Sequence, residues 1–529
     1  MTNSLPPSYI RLRDRRLQID SLIQQGHAKP VLLWHLVLFF TPLALVLLIP
    51  RRQCTPYLRS LALVLTLGLA VEAIQHRRAS LGANGYILGV AVAWWCIWTA
   101  TLLVTHDVER DFLRIERRLC AKNETRDDPD GDFVVVSNES WREPLQRLVS
   151  ECQESLVWQP YPRSWSHRLG WVLSLLFSMR GPEWNWRISS IGPLPSSVTV
   201  QLDSARRPSR LLGECQAFPA CRNGRGLLRA TAWVFLRSYI LIDMMKVLMI
   251  RDPYFWGVVS PPPPPPTPIS YILPAIPSVF RVYRLALSGL AIFTALSFVT
   301  ALNPLIFLGL SLAFPNASRS VTTTPLDAPW LYPETFGPFV TSVLDHGLAG
   351  CWGRWWHQLF RFGFLSTAQW FLSFLPTPLV YHPGLRRLVL AMTVFSMSGL
   401  IHACGSYTQL GTTRPLSRTF MFFFLQGVGV AVQSLATTAL SCLFPSRCLP
   451  HWLRRTTNVT FVVVWLLFSG SYIADDFAAG GVWLVEPLPV SPLRGLGLGV
   501  EGERWWCWNE PWFQWWDGGS FWASGLRVV

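Results

Sequence analysis

His357 and His402 are the two side chains of this sequence whose type and setting point most directly to chemistry. His402 sits inside the apolar run Leu388 to Ala403. His357 lies 45 residues earlier, at the end of the stretch Cys351-Trp352-Gly353-Arg354-Trp355-Trp356-His357, with Arg361 four positions on. An ionisable group in an apolar run of membrane length is costly to bury, and it usually faces a cavity or the interior of a helix bundle. A buried imidazole stays neutral and can accept a proton near working pH. Ser396, Ser398 and Gly399 precede His402, and Gly405 and Ser406 follow it, so a substrate has room beside the ring. These residue types fit acyl transfer from a thioester to an alcohol. That reaction needs a base at the attacking hydroxyl and donors for a developing oxyanion. It also needs cationic contacts for a phosphate-rich carrier such as coenzyme A. Trp352, Arg354 and Arg361 are the candidates for the carrier, and Arg361 would share a helix face with His357. Two structural readings compete. His402 can be a core histidine satisfied by a carbonyl, and the Trp-Arg cluster around His357 can be an interfacial anchor.

Such residues need a scaffold, and composition defines it. Of 529 residues, 50% are hydrophobic and only 15% charged, well below the charge of a soluble domain. Mean hydropathy is +0.29. The runs Val31 to Ile49, Leu58 to Ala70 and Tyr86 to Val104 approach the length of a membrane-crossing helix. Ala230 to Ile250, with Arg237, Asp243 and Lys246, is a fourth candidate. Leu285 to Phe314 reads as broken at Asn303-Pro304. Phe364 to Val380, Leu388 to Ala403, Phe420 to Leu443 and Val459 to Ile473 complete the set. The expected fold is all-α, a polytopic bundle of about eight to ten spans, because helices satisfy their own backbone in lipid.

The net charge of +15 comes from arginines beside the spans, such as Arg51, Arg52, Arg77, Arg78, Arg386 and Arg387. That pattern fits contact with membrane lipids and not with nucleic acid. Basic residues flank the early spans on both sides, so orientation stays open, as it does from the sequons at Asn123, Asn138, Asn316 and Asn458. Cys215 and Cys221 have no histidine or second pair nearby to form a zinc set, so no metal is expected.

Five regions follow. Residues 1–30 form a basic leader and 31–104 the N-terminal spans. Residues 105–228 form a polar membrane-surface region, with short helices expected at His106 to Cys120 and Glu143 to Cys152. Residues 229–480 form the catalytic core, with a stiff polyproline connector at Pro261 to Pro266. Residues 481–529 form a tryptophan-rich interfacial tail.

The stretch Trp352 to Arg361, with Ser398-Gly399-Leu400-Ile401-His402 downstream, resembles the wax-synthase branch of the membrane-bound O-acyltransferases. Arg180-Gly181-Pro182-Glu183-Trp184-Asn185-Trp186 resembles the arginine-glycine-tryptophan signature of fungal members, and Gly480 to Gly495 their C-terminal segment. Cys351 stands where the family usually has phenylalanine, and Trp355 replaces the second arginine of the upstream motif. The resemblance implies a catalytic histidine at His402, with its upstream partner in the motif ending at His357. It implies no bound cofactor and acetyl-CoA as co-substrate. It also implies a hydroxylated polycyclic small-molecule acceptor, of terpenoid or meroterpenoid type, in secondary metabolism at the endoplasmic reticulum. A long-chain wax-ester synthase and a transporter are the alternatives. A transporter is expected to show repeated halves, which this sequence lacks.

Overall fold

In this computed structural model the described residues are 7–53, 56–121, 152–204, 224–264, 276–443, 450–509 and 511–529. The sequons at Asn123 and Asn138, the Cys215–Cys221 pair, nearly all of the Glu143 to Cys152 segment and the end of the polyproline run lie outside them.

The chain is an all-α bundle with minor strands. Its principal helices are α1 (Pro7–Gln24), α2 (Leu33–Leu48), α3 (Pro56–His76), α4 (Tyr86–Ala100), α5 (Trp165–Phe177), α6 (Gly224–Met249), α7 (Pro277–Asn303), α8 (Arg361–Leu372), α9 (Pro383–Thr408), α10 (Met421–Leu443) and α11 (His451–Gly480). Six helical segments among the described residues are long and apolar enough to cross a membrane: Pro56–His76, Tyr86–Thr105, Pro277–Ala313, Pro383–Thr408, Pro415–Cys442 and His451–Gly480. Their outward faces stay apolar, as with Val463, Val464 and Phe468 on α11, which suits contact with lipid chains.

Local signals set the helix ends. Pro383 opens α9, and the His382 side chain caps it by accepting from the Leu385 N–H. Gly481, at φ 77°, closes α11 in the left-handed conformation that glycine adopts without penalty. The α4–α9 crossing is tight because small residues line it. A Cβ at Gly405 would fall 2.7 Å from Val90 Cγ2 and 2.8 Å from the Tyr86 ring. The main core joins α2, α4 and α5 through Trp94, Trp98, Trp171 and Trp184.

Three expectations are corrected. The segment His106 to Cys120 is not one helix, since only the turn Val108–Asp111 is helical. Strand β3 (Arg114–Ala121) pairs antiparallel with β4 (Cys152–Gln159), with Ile115 opposite Trp158, because cross-strand pairing outweighs the helical propensity of its Arg, Glu and Leu residues. Phe364 to Val380 is not one span either. Helix α8 stops at Leu372, and a short turn resumes at Thr377–Tyr381 with Pro376 between them. The Asn303-Pro304 break is absorbed. A π-turn at Pro304–Leu308 takes up the missing N–H and the helical path runs on to Ala313.

The ends of the chain meet. Strand β1 (Lys29–Leu32) pairs parallel with β2 (Arg77–Arg78) and antiparallel with β6 (Gly525–Val528), which in turn pairs with β5 (Phe513–Trp516). Beneath the tail lies a buried charge cluster. Arg494 donates to Glu486 at 2.9 Å and to Glu503 at 3.2 Å, Lys246 of α6 stands 3.5 Å from Glu486, and Tyr9 of α1 reaches both carboxylates at 3.2 Å. Asp243 accepts from the Leu493 N–H at 2.9 Å. Each charge has a partner, which is what makes burial tolerable. The Glu486–Arg494 motif is thus a tie between the chain ends and α6.

Candidate functional site

A cavity of about 290 Å³ opens among α8, α9, α10 and the segment that precedes α8, and both histidines line it. Its wall is otherwise mostly apolar, with Trp352, Trp356, Phe360, Phe364, Phe395 and Phe423 prominent. A largely apolar pocket with a few convergent polar groups is the usual form of a small-molecule site.

His402 comes from the inward face of α9. Its Nδ1 lies 2.6 Å from the Tyr86 hydroxyl on α4. Its ring stacks on Phe423 of α10, with centroids 4.3 Å apart and planes within 6°. The partner of His402 Nδ1 is thus a phenol and not a main-chain carbonyl, and the ring borders the cavity.

His357 is placed differently from expectation. Residues Cys351–Trp355 form a π-turn, and regular helix resumes only at Arg361. His357 and Arg361 therefore do not share a helix face. The intervening loop is shaped by Gln358, whose amide donates to the Trp352 carbonyl at 2.8 Å and the Trp356 carbonyl at 2.6 Å. Arg361 braces the same loop, donating to the Gly353 carbonyl at 2.6 Å and to Gln358 Oε1 at 2.8 Å. The buried His357 Nδ1 has no hydrogen-bond partner among the described residues. Burial first, and then the Arg180 cation, push the His357 pKa down to about 4, so the ring is neutral.

Arg180 ties the fungal-type motif to the site. It is anchored by the carbonyls of Glu334 at 2.7 Å and Pro333 at 2.9 Å. Burial, and then the neighbouring Arg187, lower its own pKa to about 10.

Of the residues singled out from the sequence, His402, His357, Trp352 and Arg361 meet at the cavity. Arg354 does not. It is exposed, and its guanidinium contacts His346 Nε2 at 2.6 Å. Cys351 is buried beside Val343, Leu348 and Val462, away from the cavity wall. Sequence reasoning missed Tyr86, Phe423 and Gln358 as site residues. It read Arg387, which lines the cavity, only as a span flank. Nothing in the residue types marks the first two, because aromatic side chains in membrane helices are commonplace.

Residues 332–425, which contain both histidines, match the Membrane bound O-acyl transferase family. The chain is 25% identical over 348 residues to the O-Mevalon transferase macI of Penicillium terrestre, covering 64% of this chain and 65% of the relative. Identity and coverage are the same for the O-Mevalon transferase yanI of Aspergillus niger. It is 30% identical over 145 residues to the acetyltransferase aurG of Calcarisporium arbuscula, covering 26% of this chain and 32% of the relative. The match therefore spans just under two thirds of the first two relatives. No solved structure matches the chain. The resemblance carried by the motifs around His357 and His402 stands, and it falls among fungal acyl- and acetyltransferases.

Proposed function

We propose that this protein is a membrane-bound O-acyltransferase of secondary metabolism that transfers an acyl group from a coenzyme A thioester to a hydroxyl of a polycyclic small molecule. The observation that carries the reading is the placement of His402. It projects from a membrane-length helix into an apolar cavity that also holds His357. The matched family segment covers the same residues.

In this reading His402 takes the proton of the acceptor hydroxyl as its oxygen attacks the thioester carbonyl. The C–O bond forms, the carbonyl π-electrons move to oxygen, and the tetrahedral intermediate collapses as the C–S bond breaks. The departing thiolate takes the proton back from His402. His357, neutral and with no partner for its Nδ1 among the described residues, offers an N–H toward the developing oxyanion. Arg361 and Arg387, which both line the cavity, meet anionic oxygens of the donor at its wall. Trp352 lines the acyl or acceptor channel.

The donor proposed is acetyl-CoA, as a co-substrate with no bound cofactor, and the acceptor is a terpenoid or meroterpenoid alcohol. The compartment proposed is the endoplasmic reticulum membrane. A second donor has specific support, because two relatives matched over 348 residues are named O-mevalon transferases. Membranes containing the protein, offered acetyl-CoA, a mevalonyl thioester and palmitoyl-CoA in competition, decide the donor. Exclusive acetyl transfer to a hydroxylated polycyclic supports the first reading. Faster palmitoyl transfer to a fatty alcohol makes the protein a wax-ester synthase. Comparing metabolites of strains with and without the gene fixes the acceptor by the mass of the group added.

A further inference from the structure

His402 has two ring nitrogens, and only one of them can act on a substrate. Nδ1 is 2.6 Å from the Tyr86 hydroxyl, so Nε2 is the nitrogen left for the cavity. A neutral imidazole carries one proton. If that proton sat on Nε2, the ring would present a donor to the acceptor alcohol and could not take its proton. If it sits on Nδ1, the Nε2 lone pair faces the cavity. What selects the tautomer is the hydrogen bond made by the other nitrogen.

We propose that Tyr86 is the positioning residue of His402, accepting the Nδ1–H through its hydroxyl oxygen and thereby fixing the Nε2 lone pair toward the cavity. The proposal rests on the reading of His402 as the base. Two independent elements hold the ring. Tyr86 fixes rotation within the ring plane, and Phe423 fixes the plane itself by stacking within 6°. Tyr86 is in turn held edge-on by Phe477 of α11 at 4.8 Å. It also lies against Gly405, where any side chain would collide with its ring. The placement is therefore built from α4, α9, α10 and α11 together. It continues through the proton transfer. An imidazolium formed at Nε2 keeps its Nδ1–H on the Tyr86 oxygen, so no hydrogen bond is exchanged as charge develops.

Carbethoxylation by diethyl pyrocarbonate reads this directly, since the reagent attacks through an available imidazole lone pair. The full-length protein in native membranes is labelled at neutral pH. Modification of the peptides bearing His402 and His357 is then followed by mass spectrometry. Tyr86→Phe, which removes only the oxygen, should slow labelling of His402 about fivefold or more and leave His357 within twofold. Val90→Ala, which disturbs packing one turn along α4 from Tyr86 without touching the hydrogen bond, should leave both rates within twofold. Difluorotyrosine at position 86, which keeps the shape and weakens the oxygen as an acceptor, should slow His402 in the same direction. Unchanged or faster labelling of His402 in Tyr86→Phe overturns the proposal. So does equal slowing by Val90→Ala. The labelling reads the imidazole itself, so its outcome stands whichever thioester the protein uses. Loss of acyl transfer in every donor assay would instead count against the enzymatic reading.

Discussion

Gln426 accepts the indole N–H of Trp352 at 3.3 Å and donates to Ser469 at 3.0 Å, linking the cavity wall on one side to α11 on the other. It is fully buried and also donates to the Phe422 carbonyl at 3.0 Å. Gln426→Leu keeps the volume but leaves the Trp352 N–H without its acceptor. An unsatisfied buried group costs about 1–3 kcal/mol. A lower melting temperature is expected, together with altered selectivity between donors, because Trp352 is released at the cavity. Wild-type selectivity in a destabilised variant would separate the two roles.

His402→Ala should lower turnover by roughly 10²- to 10⁴-fold, the range for a lost acid-base group. Abundance and detergent-solubilised monodispersity should stay near wild type, because the change opens a cavity that already exists. Near-normal turnover of well-expressed protein would remove His402 from the mechanism.

Arg361→Ala should raise the KM for the acyl-CoA more than the KM for the alcohol, by about 10-fold or more for a charge-assisted contact. Arg361 also braces Gly353 and Gln358, so kcat should fall as well. Arg361→Lys tests the split, since it keeps charge and loses the planar fork. If the alcohol KM rises more than the donor KM, Arg361 serves the loop and not the donor.

Arg494→Ala should strip Glu486 and Glu503 of a shared cation, and breaking a buried pair from one side typically costs about 3–5 kcal/mol. The expected result is loss of folded protein, measured by fluorescence-detected size exclusion after heating. A stable, fully active variant would show that Lys246 suffices.

The His357 pKa is depressed to about 4 by burial and by Arg180. The unfolded chain therefore takes up a proton near pH 6.5 that the folded chain refuses. Its contribution to stability is unaffected above that pH and turns unfavourable as pH falls from about 6.5 toward 4. His357→Gln should flatten the dependence of melting temperature on pH across this window. An unchanged slope would assign the acid sensitivity elsewhere, with His106, also depressed by burial, the next group to replace.

His402 was legible because an ionisable side chain inside an apolar run is conspicuous. The long helices were legible because length and hydropathy are local properties. Tyr86 was not, because its role depends on a partner 316 positions away and its residue type is ordinary for the start of a span. The β3–β4 pair was hidden for a similar reason. Ile115 and Leu119 are spaced as on a helix face, and only the distant partner Cys152–Gln159 makes the segment a strand. The loop at His357 escaped because a π-turn shifts register without leaving a mark in hydrophobic spacing.

The pairing of Val31 with Val528 carries a rule of parity. Two hydrogen-bonded strands lie on one side of a bilayer, so the chain between them crosses an even number of times. The pairing of Lys29 with Arg77 brings the start of α2 and the end of α3 to one level. From Arg78 to Phe513, five of the long apolar helices among the described residues remain, an odd number. Among the described residues α6, with 26 residues and its Asp243 and Lys246 partnered at one end, is a further helix of membrane-crossing length. Tags placed before β1 and after β6 should be reached by a protease from the same face of the membrane.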